Sequence, residues 1–167
     1  NELVIKRVIH TTADFDYADN LTFSDHAVHK GIAALKSGCD IVTDTQMAKA
    51  GINKTILASL GGEVHCFMSD PDVAQEAKSR GVTRAFVSME KAAALEKPCI
   101  FAIGNAPTAL FSLELIIGVP VGFVNVEISK ERIIEKARAP YIVARGRKGG
   151  SNVAAAICNA LLYQIRR

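Results

Sequence analysis

An α/β fold, with a central mostly parallel sheet covered by helices on both faces, is what this sequence predicts. Three observations carry the prediction. Short, almost wholly apolar β-branched runs alternate with stretches of helical periodicity, as doubly buried strands and their crossover helices do. The chain has 167 residues, 49% hydrophobic and 22% charged, enough to enclose a substantial core without a staple. No linker, low-complexity tract or internal repeat interrupts it, so one domain over residues 1–167 is expected.

In chain order, helix 25–36 follows Ser24 as a helix start, and the β-branched run 41–43 reads as a strand. Strand 63–67 precedes helix 72–79, and strand 85–87 precedes helix 89–95. Strand 100–103 follows Pro98, and helix 106–117 is opened by Gly104-Asn105 and by Pro107 in its first turn. Pro120 stands before strand 121–124, and Ser129 before helix 130–136. Pro140 stands before strand 141–143, where a missing amide hydrogen does least harm, and the apolar helix 152–165 follows. That last helix is apolar nearly all round, so beyond the sheet it must meet another helix or a second subunit.

Composition narrows the function. A net charge of +3, with no basic tail and no aromatic–basic alternation, argues against a nucleic-acid partner. Cys39, Cys66, Cys99 and Cys158 are scattered in apolar surroundings without a CxxC pair, which argues for buried free thiols in a reducing cytoplasm. No signal peptide opens the chain, and no apolar run is long enough for a bilayer. The start at Asn1 suggests a fragment or the absence of preceding residues.

Ligands of open α/β sheets bind where strands lead into helices, which selects loops 43–47, 68–72, 104–108 and 145–152. The last is the most telling. Arg145, Arg147 and Lys148 run into Gly149-Gly150-Ser151-Asn152 just where a helix begins. Helix-start amides attract anions, and glycines let a ligand approach the backbone. Asn105 and Thr108 are candidate donors at the neighbouring helix start. With Arg7, Thr83 and Arg84 the rim suits a large polyanion carrying several carboxylates. GxGxxG and GxxxxGK[ST] are absent, so neither a dinucleotide fingerprint nor a phosphate loop is present. Arg7 and His10 are three apart and would share a helix face; His10 can exchange a proton near neutrality. His26 and His29 read as solvent-facing without a third metal ligand, and His65 as a satisfied core histidine.

The segments IGNAPTALF (103–111), VPVGFV (119–124), EISK (127–130) and RGRKGGSNVAAA (145–156) together resemble the precorrin-8X methylmutase family of cobalamin biosynthesis, its cobalt-precorrin-8 branch included. RVIH (7–10), LTFS (21–24), DIVTDTQMAKAGI (40–52) and GVTRA (81–85) match in order, so the likeness covers nearly the whole chain. The resemblance implies a flavodoxin-like three-layer sandwich and an isomerase. It moves a methyl group from C-11 to C-12 of a tetrapyrrole, giving hydrogenobyrinate or cobyrinate. It further implies a homodimer with substrate near the interface, and neither cofactor nor protein-bound metal. His10 takes the place of the catalytic histidine, and Arg7, Thr83 and Arg84 those of substrate-binding residues. Arg145, Arg147 and Ser151, with Asn105 and Thr108, are the substrate-binding candidates on the rim. A substrate-contacting serine of the family precedes Asn1, and the loop before VPVGFV is shorter than the family's. A non-catalytic tetrapyrrole carrier and a flavodoxin-like nucleotide-binding module are the alternatives.

Overall fold

The structure is a computed structural model that describes residues 1–105 and 114–165. Its strands are β1 (Leu21–Phe23), β2 (Asp40–Thr43), β3 (Val64–His65), β4 (Cys99–Ile103), β5 (Leu115–Gly118) and β6 (Tyr141–Ala144). They form one sheet in the order β1-β6-β5-β4-β2-β3. Every neighbouring pair is parallel except edge strand β1, which runs antiparallel to β6 with Leu21 opposite Ala144. The helices are α1 (Glu2–Thr12), α2 (Tyr17–Asn20), α3 (Ala27–Lys36), α4 (Gln46–Gly51) and α5 (Lys54–Ser59), then α6 (Pro71–Arg80), α7 (Arg84–Ala93), α8 (Val126–Lys136) and α9 (Ser151–Ile165).

Strand side chains alternate between faces, and that alternation divides the interior into layers. Ile41, Ile100, Ala102, Leu115, Ile117, Ile142 and Ala144 join the larger core, with residues of α1, α3, α5 and α9. Their neighbours turn the other way: Val42, Phe101 and Ile103 pack with Met89 and Ala92 of α7, and Ile116 and Val143 with Ile133 of α8. Helices therefore lie on both faces of a mostly parallel sheet, the three-layer arrangement expected.

Helix α9 is buried along nearly its whole length, from Val153 to Leu162, in contact with α1, α3 and α4 as well as β4 and β5. Small residues allow the approach. A Cβ on Gly51 of α4 would stand 2.9 Å from Cβ of Ala155, and one on Gly31 of α3 would stand 3.2 Å from Cδ1 of Leu161. The all-round apolar surface of α9 is thus covered by helices of the same chain, not by a second subunit.

Several predicted boundaries move. Residues 85–87 are not a strand but part of α7, whose burial of Val87, Met89 and Ala92 follows the helical period. Residues 115–117 were expected in a helix and form β5; of that predicted helix, 106–113 lie outside the described residues. Residues 121–124 belong to no strand, and Pro120 follows β5 rather than preceding a strand. The helix expected over 89–95 starts earlier, at Arg84. Ser24 does not cap α3: its Oγ accepts from the Tyr141 amide at 2.8 Å, tying the chain after β1 to β6. Ser129 lies inside α8, its Oγ donating to the Val126 carbonyl at 2.7 Å. No described helix is long and apolar enough to cross a membrane.

Candidate functional site

The carboxyl ends of β2 and β4, the loop after β6 and the start of α9 converge at one end of the sheet. Asp44, buried just after β2, accepts from the amides of Gly104 at 2.8 Å and Asn105 at 2.5 Å. Thr45 caps α4 by accepting from the Ala48 amide at 3.1 Å, and its Oγ1 is 2.7 Å from Oγ of Ser151 at the start of α9. Asn105 and Ser151 are therefore brought together around Asp44 and Thr45, with the Asn105 side chain exposed. Thr108 lies outside the described residues.

The glycines of this rim serve the fold. A Cβ on Gly149 would lie 2.1 Å from the Val119 carbonyl oxygen, and the Gly150 amide donates to that same oxygen at 2.8 Å. A Cβ on Gly104 would lie 2.8 Å from the Ser151 nitrogen. What approaches these backbones so closely is the chain itself, where the sequence suggested a ligand.

The basic side chains of the same loop are exposed and internally paired. Arg145 forks onto Glu131 of α8 at 2.8 and 3.1 Å, and Arg147 reaches Glu127 of α8 at 3.4 Å while lying 5.7 Å over the Phe123 ring. Lys148 donates to Asp14 at 2.7 Å and Asp16 at 2.5 Å, just past the end of α1. Those hydrogen bonds raise the Lys148 ammonium above its usual range and lower the Asp14 carboxyl below its own.

Beneath the loop sits Lys130 of α8, with no exposed surface. Its Nζ donates to the carbonyls of Gly146 at 2.8 Å and Lys148 at 2.7 Å. Burial pushes this ammonium down to about 8. Below that pH the folded and unfolded chains both hold the proton. Between about 8 and the ordinary lysine value of 10.5 the unfolded chain holds more, so this contribution to stability rises with pH. The stability difference between wild type and Lys130→Met, followed by urea denaturation from pH 7.5 upward, is expected to grow in favour of wild type across that window. A flat difference would show that Lys130 titrates normally.

Helix α1 builds the second part. Val4 and Val8 are buried against α9, which turns Leu3, Lys6, Arg7 and His10, a stripe at helical spacing, to the side. With Ala160, Tyr163 and Gln164 of α9 they line a cleft of about 250 Å³. Arg7 lies 4.7 Å over the Tyr163 ring. His10, in the last turn of α1, is exposed and has no hydrogen-bond partner among the described residues. Lys6, Tyr163 and Gln164 were not singled out in the sequence; the stripe reveals them once α1 is known to begin at Glu2.

Thr83 and Arg84 do not join either part. Thr83 caps α7, accepting from the Phe86 amide at 3.2 Å, and both residues are exposed at the start of a helix on the opposite face from α1 and α9. His65 is satisfied, as expected, with Nε2 2.9 Å from Oδ2 of Asp40, and His26 and His29 are exposed. Among the described residues no three acidic, histidine or cysteine side chains are grouped to hold a metal ion.

An α/β sheet with a cationic, polar rim at the carboxyl ends of its strands is of the kind that receives anionic ligands there. The comparisons make the class specific. The family model for precorrin-8X methylmutase matches residues 1–164. The cobalt-precorrin-8 methylmutase of Salmonella typhimurium is 51% identical, over 99% of this chain and 82% of that protein. The precorrin-8X methylmutase of Pseudomonas aeruginosa is 39% identical, over 96% of this chain and 82% of that protein. The crystal structure of precorrin-8X methylmutase from Thermus thermophilus superposes with a TM-score of 0.85 at 34% identity, covering 99% of this chain and 86% of that one. The chain belongs to the precorrin-8X methylmutase family, and it is an isomerase of cobalamin biosynthesis. The readings as a carrier or a nucleotide-binding module give way to that membership.

Proposed function

We propose that this chain moves a methyl group from C-11 to C-12 of a precorrin-8 macrocycle, with His10 as the proton donor and acceptor. The observation that carries this reading is the α1–α9 cleft, where an exposed imidazole with no hydrogen-bond partner among the described residues stands beside the cationic Lys6 and Arg7. A sigmatropic methyl shift changes neither the atoms nor the oxidation level of the substrate. An enzyme can help it by lending a proton to the conjugated system and by holding the ring out of plane. Substrate carboxylates placed against Arg7, Arg145 and Arg147 would set the ring's position and favour the charged imidazole. Asn105, Thr108 and Ser151 are proposed as further donors to the substrate, and Thr83 and Arg84 would reach it only from another face or another subunit.

The cobalt-bearing substrate is favoured over the metal-free one. Relatives named cobalt-precorrin-8 methylmutase reach 51% identity, against 39% for those named precorrin-8X methylmutase. Cytoplasmic location is supported by four buried free thiols.

The test is binding of cobyrinate, the cobalt product, followed by its visible absorption. Single replacement of Arg7, Arg145 or Arg147 by Ala is expected to weaken binding by about 1–3 kcal/mol, the range for losing a charge-assisted hydrogen bond. Unchanged binding in all three variants would reduce the cationic rim to a solvated surface.

A homodimer is proposed from the size of the cleft. At about 250 Å³ it is smaller than the roughly 300–1,000 Å³ of pockets that enclose drug-sized ligands, so most of a tetrapyrrole would project from it. Phe15, Met47, Phe123 and Val124 are all more than two-thirds exposed on loops or helix ends. That apolar surface supports a second copy closing over the ligand. Sedimentation at assay concentration is expected to give a dimer; a fully active monomer would overturn the shared site.

A further inference from the structure

Helix α8 meets the loop after β6 with three side chains at positions i, i+3 and i+4: Glu127, Lys130 and Glu131. They do two different things. Lys130, fully buried, holds the backbone through the Gly146 and Lys148 carbonyls. Glu131 and Glu127, half exposed, hold the side chains of Arg145 and Arg147. The loop's backbone is therefore fixed, while among the described residues its two guanidinium groups meet half-exposed carboxylates and, for Arg147, the Phe123 ring. Exposed pairs of this kind are weak, because water screens them and long side chains resist ordering. Glu131 nonetheless occupies the Nε/Nη2 edge of Arg145, one of the two bidentate edges that an incoming carboxylate could use.

We infer that Glu127 and Glu131 are resident stand-ins for substrate carboxylates: they hold Arg147 and Arg145 extended in the free protein and are displaced when the polyanion binds. The inference rests on the reading above, in which those arginines take substrate carboxylates. It adds a limit on affinity that falls equally on substrate and product. Each displaced pair subtracts from the affinity for a polycarboxylate, so product that differs from substrate by one methyl position is held less tightly than the number of ion pairs would dictate. Lys130 is the positioning residue of the device, since it keeps the loop in register while the side chains exchange partners.

The experiment is a titration with cobyrinate, read by visible absorption, of wild type, Glu131→Gln, Glu127→Gln, Arg145→Ala and the double variant Glu131→Gln/Arg145→Ala. Glu135→Gln, an exposed position on the same helix, controls for the loss of one negative charge. Glu131→Gln is expected to bind roughly two- to fivefold tighter, the fold-change equivalent of an exposed pair. Glu127→Gln should move the same way by less, and Glu135→Gln not at all. The gain from Glu131→Gln should vanish when Arg145 is already Ala, as direct competition for that side chain requires. Unchanged or weaker binding by Glu131→Gln, while Arg145→Ala still weakens it, overturns the inference alone. So does an equal gain in Glu135→Gln, or a gain that persists without Arg145. Wild-type affinity in Arg145→Ala removes Arg145 from substrate binding and overturns the inference with it.

Discussion

His10→Ala is expected to lose methyl migration by a factor of about 10²–10⁴, the span of a general acid–base contribution, while cobyrinate binding stays near that of wild type. The separation of the two effects follows from where the residue stands. The imidazole is exposed in the last turn of α1 and bonds to no described side chain, so its removal leaves Val4 and Val8 packed and the Arg7–Tyr163 contact in place. The fold has nothing to lose from it; only a reacting group does. Turnover is measured under single-turnover conditions, so that slow product release does not mask the step, and binding by absorption titration. Turnover within a few-fold of wild type would remove His10 from the chemistry. Equal losses in turnover and binding would make it a substrate clamp.

Gly149→Ala is expected to be the most disruptive single substitution in the loop after β6, costing about 3 kcal/mol of stability, at the upper end for overpacking. The added methyl would meet the Val119 carbonyl oxygen at 2.1 Å, the Val119 carbonyl carbon at 2.8 Å and the Pro120 oxygen at 2.9 Å. All three are backbone atoms, so no rotamer change can make room. Either the loop lifts off the end of β5, carrying Arg145, Arg147 and the start of α9, or the strand end shifts. Urea denaturation gives the cost, and the same variant should bind cobyrinate poorly. Gly146→Ala is the comparison, because a Cβ there meets nothing within 4 Å although its φ of +73° still penalises alanine. Equal stability of the two variants would show that the close approach is not what makes Gly149 necessary.

The sequence announces the runs 41–43, 100–103 and 141–143 correctly, since β2, β4 and β6 fall within a residue of those limits at each end, whereas 63–67 shortens to Val64–His65 and 121–124, although Pro120 precedes it, is no strand. It misled where an apolar run has no period of its own. Leu115–Gly118 is buried on every side chain, and a strand of that kind is indistinguishable by pattern from the end of a buried helix. Strand β1 escaped because three residues are too few to show alternation, and its place is fixed by pairing with β6 across the chain. The basic loop was legible as charge, but not the partners of that charge. Glu127, Glu131, Asp14 and Asp16 are remote in sequence from Arg145, Arg147 and Lys148, and nothing local announces the pairing. Thr83 shows the converse: a hydroxyl before a helix is the residue type for a cap and equally for a ligand, and geometry assigns the cap.

The packing of α1 against α9 also bears on the order in which the molecule can be built. Lys148 grips Asp14 across 134 positions of sequence, and Val4 and Val8 find their cover on α9. During synthesis α1 leaves the ribosome long before that cover exists, with an amphipathic face and nothing to lay it on. A helix of 11 residues is marginal alone in water, so it gains lasting order only when α9 arrives. The pairing is non-local, and the loop-closure entropy it demands makes it a late event, after the β2–β4 part of the sheet has been laid down. His10 is thus synthesised well before the helix that positions it, and a nascent chain interrupted short of α9 would carry the imidazole without a cleft to put it in.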